Sequence, residues 1–229
     1  SNALVSVINR VCKEVNNSPL PHFDNQQTLV SNSSIPAVVQ VDAESVKAAE
    51  TQYGSQANFG PVWPGDQLVF GSERPGYETK SDVPQTRVKS WIGLMKAHGI
   101  RRVVCLLHPK GKLKLYDHIE GGLEGQYNSK FDPENVLMVP IIDRDISSED
   151  QIKNIVDFLD ESERLELPVV VHCSMGYGRT GHVLAVWRNY RHGVNRGKAL
   201  GQTNWGGADR EPKEALGKKS KRLGRRIDI

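Results

Sequence analysis

The 229-residue chain predicts an α/β fold with a central, mostly parallel sheet of about five strands flanked by helices. Three observations carry that expectation. First, short apolar runs, among them Arg102–Leu107, Val136–Ile141 and Val169–Val171, alternate with longer stretches of helical periodicity. This is the rhythm of strands joined by helical crossovers. Second, Val169-Val170-Val171 runs through His172-Cys173-Ser174-Met175-Gly176-Tyr177-Gly178 into Arg179-Thr180-Gly181 and the apolar Val183–Trp187. Strand, glycine loop and helix N-terminus follow one another without interruption, and sheets of this kind bind ligands at the carboxyl ends of their strands. Third, 38% hydrophobic and 25% charged residues are the proportions of an ordinary globular domain, and the length holds one such domain plus extensions.

The elements can be taken in order. Leu4, Val5, Val7, Ile8, Val11 and Val15 fit one face of a short helix. Residues 16–36, rich in Asn, Ser, Gln and Pro, read as loop, and residues 42–49 as a short helix capped by Asp42 or Ser45. Gly65–Gly71 reads as a strand, followed by a polar loop over Ser72–Gly76. Apolar residues at 88, 91, 92 and 95 predict a helix over 86–98, stopped by Gly99. A strand follows at 102–107, then a charged, glycine-rich connection with a helix near Leu115–Ile119, then a strand at 136–141. Ser147 or Ser148 caps the next helix, with Asp150 and Gln151 in capping-box positions and Ile152, Ile155, Val156 and Leu159 as its buried stripe. After the loop at 173–178 the last clear helix runs over 182–192 and ends at Gly193. Gly197–Pro212 is glycine-rich and poorly helical.

The loop contents point to phosphate chemistry. Backbone amides and the helix dipole at such a junction favour an anion, but no Gly-Lys-Ser/Thr ending is present, which excludes a nucleotide-binding P-loop. Instead Cys173 opens the loop and Arg179 closes it six positions later. A guanidinium matches two phosphoryl oxygens, and the same field favours a sulfur anion beneath the bound phosphorus, aimed as a nucleophile. Ser174, Met175, Gly176, Tyr177, Gly178 and Arg179 are the candidate phosphate-binding residues. Thr180 is placed to offer its hydroxyl to the sulfur, and His172 to shape the loop through the backbone. Arginine and amides here stand where other phosphoryl-transfer sites use a cation, so neither metal nor cofactor is called for.

The pattern His172-Cys173-x-x-Gly176-x-Gly178-Arg179-Thr180-Gly181 resembles the signature of the cysteine-dependent protein tyrosine and dual-specificity phosphatases. A strand, an Arg74-Pro75-Gly76 loop, a helix bearing Trp91, Gly99-Ile100 and Val103–Leu107 also resemble the first half of that domain. Together they extend the resemblance over roughly residues 64–215. It implies a dual-specificity phosphatase-like sheet and a cysteinyl-phosphate intermediate. It also implies a general acid on Val139-Pro140-Ile141-Ile142-Asp143, which marks Asp143, with Asp145 as its rival. Catalysis needs such a group to protonate the leaving oxygen and later to deprotonate water. By the same resemblance Gln202 is a candidate to position that water, Arg210-x-Pro212 matches a late segment of the family, and Cys105 is a candidate to cap Cys173 as a disulfide.

The expected organisation is an N-terminal extension over 1–63, in which Ser1–Ala3 reads as a tag scar, a catalytic domain over 64–215, and a basic tail over 216–229. The tail carries Lys218, Lys219, Lys221, Arg222, Arg225 and Arg226 against Asp228, net +5 within a chain of +3. Such tails are usually solvated, and the lack of interleaved aromatics makes this one a weak nucleic-acid signal. Three cysteines make no disulfide framework and point to a reducing, cytoplasmic setting, and no apolar run is long enough to span a membrane. A phosphorylated protein is the first substrate expected, on tyrosine and also on serine or threonine. RNA 5′ ends and small phosphates come next, and the absence of lysine in the loop counts against phosphoinositides. A phosphate-binding module without turnover, or a sulfur carrier, remains as a non-phosphatase alternative.

Overall fold

The computed structural model describes residues 41–193 and Ala208. Its elements run α1 (Ala43–Tyr53), β1 (Gly60–Pro61), β2 (Val69–Ser72), α2 (Gln85–Ala97), β3 (Arg102–Cys105), a 3₁₀ turn (Lys112–Tyr116), α3 (Gly122–Phe131), a second 3₁₀ turn (Pro133–Asn135), β4 (Val136–Met138), α4 (Glu149–Arg164), β5 (Val169–His172) and α5 (Gly178–His192). The five strands form one sheet in the order β1-β2-β5-β3-β4, parallel except for the β1–β2 pair. The expected fold class is the one observed. β5 lies at the centre, and all four of its residues are buried.

Strand alternation divides the interior into two cores, because successive side chains point to opposite faces. Val69, Val104, Leu106, Val169, Val171 and Cys173 pack on one face, under Ile152, Ile155, Val156 and Leu159 of α4 and Val183, Leu184, Val186 and Trp187 of α5. Val103, Cys105 and Val170 pack on the other, under Val88, Trp91, Ile92 and Met95 of α2 and Leu123, Tyr127 and Phe131 of α3. The periodic apolar positions read from the sequence for α2 and α4 are therefore the ones that meet the sheet. Local signals are realised as well. The Asp42 side chain accepts from the Glu44 and Ser45 amides, and Ser148 and Gln151 form a reciprocal capping box.

Three expectations need correction. Residue 64 does not begin the packed body: β1 pairs with β2, and Tyr53, Ala57 and Val62 are buried in the two cores. The helix foreseen near 115–119 is instead a 3₁₀ turn at 112–116 followed by a full α-helix at 122–131. Its two glycines and weak apolar stripe hid it from a periodicity reading, and Leu123, Tyr127 and Phe131 supply the buried face. The strand at 136–141 stops at Met138, before Pro140, which has no amide to continue a ladder. The stretches 4–36 and 197–207, Gln202, Arg210-x-Pro212 and the basic tail lie outside the described residues. Among the described residues, no helix is long and apolar enough to cross a membrane.

Leu159, fully buried between α4 and the sheet, should be sensitive to truncation. Leu159→Ala should cost about 2–5 kcal/mol of unfolding free energy. Ile142→Ser, at a position 57% exposed, should change it by less than about 0.5 kcal/mol. Urea titration of the two variants beside the parent chain checks this contrast.

Candidate active site

The carboxyl end of β5 opens into a cleft of about 650 Å³ lined by Cys173, Ser174, Met175, Tyr177, Gly178 and Arg179. Loops that follow β2, β3 and β4 complete its walls with Arg74, Tyr77, Lys80, Lys112, Asp143 and Arg144. The topology dictates this convergence, since parallel strands deliver their following loops to one edge of the sheet.

The loop is held in shape from outside. Its successive carbonyls are taken up one by one. Leu106 N donates to His172 O at 2.9 Å, His172 Nδ1 lies 3.2 Å from Cys173 O, Arg74 N donates to Ser174 O at 3.0 Å and Asn58 Nδ2 to Met175 O at 2.9 Å. The amides of Ser174, Met175 and Gly176 donate to no group among the described residues. Carbonyls tied off outside and amides left over make the loop an acceptor of anions. Next to it, α5 begins at Tyr177 with no side-chain cap, so its first-turn N–H groups add to the same field. Gly176 is required for the curl. Its φ is +70°, and a Cβ there would lie 2.7 Å from Glu73 N and closer still to the Ser72 carbonyl. It therefore works at the back of the loop and not in the cleft lining.

Arg179 is buried, with 5% of its side chain exposed. Nη1 donates to Ile141 O at 2.9 Å and lies 3.4 Å from Leu106 O. Nη2 pairs with Asp143 Oδ1 at 2.9 Å, and that carboxylate is 69% exposed. Asp143 thus sits beside the arginine on the cleft wall, whereas Asp145 is absent from the lining and accepts a bond from the adjacent Ile146 amide. The loop bearing Asp143 is fixed at both ends. Gln151 Nε2 donates to Pro140 O at 2.7 Å, and Ser147 Oγ meets His182 Nε2 at 2.7 Å in the interior.

His172 and Thr180 stand behind the loop and not in the cleft. His172 is buried against Trp91 and Tyr127. Its Nδ1 faces a carbonyl and must carry the proton, so Nε2 accepts from Tyr127 Oη at 2.9 Å. Burial, the largest cause, pushes the imidazole down to about 4, and it does the same to His182. The hydroxyl of Thr180, expected to reach the sulfur, is buried without a hydrogen-bond partner among the described residues. The Cys105 expectation also changes. Its thiol is free and pushed up to about 12 by burial. It packs in the core on the opposite sheet face from Cys173, which leaves no path to a disulfide without rebuilding β3.

Sequence reading missed Tyr127, Asn58 and the structural part of Arg74. Arg74 is 1% exposed. It bonds the carbonyls of Pro75, Gly76, Tyr77 and Thr79 and the Tyr116 hydroxyl, and so stiffens the loop after β2. The Arg74-Pro75-Gly76 motif was the signal available for it. Tyr127 and Asn58 act across 45 and 117 residues of chain, and nothing in their local sequence marks them.

Fold and loop define a phosphatase-type α/β domain, and comparison with known proteins agrees. Residues 85–193 match the family model described as a DSP-PTPase phosphatase of polymorphic toxin systems. An uncharacterized protein of Methanocaldococcus jannaschii is 49% identical over 51 residues, 22% of this chain and 32% of that protein. This chain therefore matches only about a third of that relative's length. Among solved structures, kinase-associated phosphatase with its catalytic cysteine replaced by serine aligns at TM-score 0.50 and 17% identity, covering 68% of this chain and 87% of its own. The active form of Tk-PTP aligns at TM-score 0.49 and 23% identity, covering 72% and 99%. Residues 85–193 carry a domain of the cysteine-dependent protein tyrosine phosphatase superfamily, of the dual-specificity kind.

Two outcomes are expected of this architecture. Gly176→Ala should keep the far-UV spectrum of the fold while losing most affinity for phosphate or tungstate, read by calorimetric titration; undiminished binding would show that the curl is not needed. His172 and His182 should titrate near pH 4 in NMR of their ring protons. Both are depressed in the folded state, so the stability they confer is complete above the ordinary histidine value of about 6.5 and is lost as pH falls towards 4. Protonation of either ring by pH 6 would contradict this.

Proposed function

We propose that this domain hydrolyses phosphate monoesters through a cysteinyl-phosphate intermediate and that its substrates are phosphoproteins. The observation that carries the reading is the meeting of Cys173, Arg179 and Asp143 on one cleft, at a loop whose carbonyls from His172 to Met175 are turned to other partners. The expected sequence is a two-step displacement. The Cys173 thiolate attacks phosphorus, the bond to the leaving oxygen breaks, and Asp143 gives that oxygen its proton. Arg179 and the loop amides hold the equatorial oxygens as their charge builds. Water then attacks the thiophosphate, Asp143 takes the water's proton, and the phosphorus–sulfur bond breaks. Thr180, whose hydroxyl has no other partner among the described residues, turns to the departing sulfur.

The Arg179–Asp143 pair gives this cycle an order. Without phosphate, Asp143 serves as counterion to the buried guanidinium. A phosphate dianion offers Arg179 two oxygens in place of one and displaces the carboxylate. The displaced carboxyl group is then left on the cleft wall to serve the leaving oxygen. Asp145 accepts the bond of its own neighbour's amide and is not among the residues that line the cleft.

A protein substrate is favoured by the cleft mouth. Tyr77 and Met175 line it and are 37% and 48% exposed, and Ile142 stands exposed next to Asp143. Large apolar side chains held in water around a polar cleft suit a polypeptide that covers them.

Cys173→Ser should abolish turnover of an aryl phosphate. Asp143→Asn should lower kcat about 10²–10⁴-fold, and a stopped-flow burst of phenolate equal to the enzyme concentration should appear in the parent when hydrolysis of the intermediate is slow. Full activity of Cys173→Ser would overturn the mechanism. Faster turnover of 5′-triphosphate RNA or a phosphoinositide than of any phosphopeptide would overturn the substrate reading.

A further inference from the structure

His182 is a buried titratable group that the displacement cycle leaves unused. Its ring is fully enclosed. Nε2 meets the buried Ser147 Oγ at 2.7 Å, and Nδ1 has no partner among the described residues. Burial holds the ring neutral. As a contribution to stability the pair is poor, since two apolar side chains of like shape would stabilise about as well and orphan no nitrogen.

The pair stands where it bears on Asp143. His182 follows Arg179 by three residues on α5, so the two share a face of that helix. Arg179 Nη1 donates to the Ile141 carbonyl at 2.9 Å, on the entry side of the loop that carries Asp143. His182 holds Ser147, on its exit side. Between these ties the chain turns at Arg144, whose φ is +60°, with the Asp145 amide donating to Ile142 O at 3.0 Å. The Asp143 carboxylate is mostly exposed and pairs with Arg179. That pair is the one a phosphate displaces, so during the reaction the exit side of the loop depends on Ser147.

Resting on the phosphatase reading above, we infer that His182 is a positioning residue: through Ser147 it keeps the Asp143 loop against the cleft while phosphate occupies Arg179, so that Asp143 reaches the leaving oxygen. Both partners of this bond are neutral. An arriving dianion therefore does not pull it apart, as it does the ion pair. Proton transfer needs the carboxyl within hydrogen-bond reach of the leaving oxygen, and a misplacement of about 1 Å is enough to lose much of the rate.

The test compares kcat/KM for two esters in the full chain. 2,4-Dinitrophenolate leaves as a stable anion, whereas phenoxide is about as basic as a tyrosinate, with a pKa of about 10, and needs the proton. The ratio of dinitrophenyl to phenyl phosphate turnover thus reads proton delivery apart from the fold, the thiolate and phosphate binding, which both esters share. Asp143→Asn should raise the ratio about 10²-fold or more. Ser147→Ala removes one buried oxygen and is expected to fold. It should raise the ratio about tenfold, and His182→Phe should do the same. Added to Asp143→Asn, neither change should raise it further. An unchanged ratio in Ser147→Ala, whether both esters slow equally or not at all, would show a structural bond only and overturn the inference, whatever becomes of His182→Phe. A ratio that still climbs when Ser147→Ala is added to Asp143→Asn places the effect outside the acid and overturns it as well. An unchanged ratio in Asp143→Asn removes the role of Asp143 on which the inference rests. Failure of the parent chain to turn over either ester removes the phosphatase reading itself.

Discussion

A buried guanidinium is the constraint on which the site depends. Removing an arginine side chain from water costs several kcal/mol unless its donors are satisfied, and Arg179 is satisfied by the Ile141 carbonyl, the Leu106 carbonyl and the Asp143 carboxylate. Those three acceptors belong to the segments that follow β3 and β4. One side chain on α5 therefore ties together the carboxyl ends of two strands and the loop that carries the candidate acid. Meeting the solvation demand of one charge positions the second functional group.

The rest of the sheet supports that arrangement by being unremarkable. β5 is flanked by β2 and β3 in parallel register, with a core on each face, so its carboxyl end has no freedom to shift. The two described thiols show what this rigidity does to chemistry. Cys105 and Cys173 lie one strand apart, yet alternation sends one into the core beneath α2 and α3 and the other to the cleft floor. The first is an inert apolar side chain, and the second lies at the mouth of an uncapped helix. Sequence alone could propose joining them; the two-residue period of a strand forbids it.

What was legible in the sequence was local. The stripes at 88, 91, 92 and 95 and at 152, 155, 156 and 159 needed only a helical period, and the Ser148 cap needed only its neighbour three residues on. The loop from Cys173 to Arg179 was legible because its chemistry is compressed into seven consecutive residues. Asp143 was legible only through resemblance, since nothing in its own neighbourhood distinguishes it from Asp145. The illegible parts were of two kinds. β1 is two residues long and α3 carries two glycines and a weak apolar face, so neither produces a periodic signal. Tyr127, Asn58 and the carbonyl-binding role of Arg74 depend on partners far along the chain, and a fold must exist before they can be named.

The neutral state of His172 follows from the same economy. Its ring is enclosed by Trp91 and Tyr127, where an imidazolium would be poorly solvated, and burial accordingly drives it down to about 4. A neutral ring has one donor and one acceptor. The Cys173 carbonyl claims the donor, and the Tyr127 hydroxyl supplies the acceptor's proton. With that carbonyl held towards the α3 side, the amides that follow are left for the cleft. A charged ring would need a second acceptor where the tyrosine offers its donor, and the chain of bonds that orients the loop would break. Histidine before the cysteine thus acts through its tautomer and not through its charge, which is why it belongs behind the loop and away from the substrate.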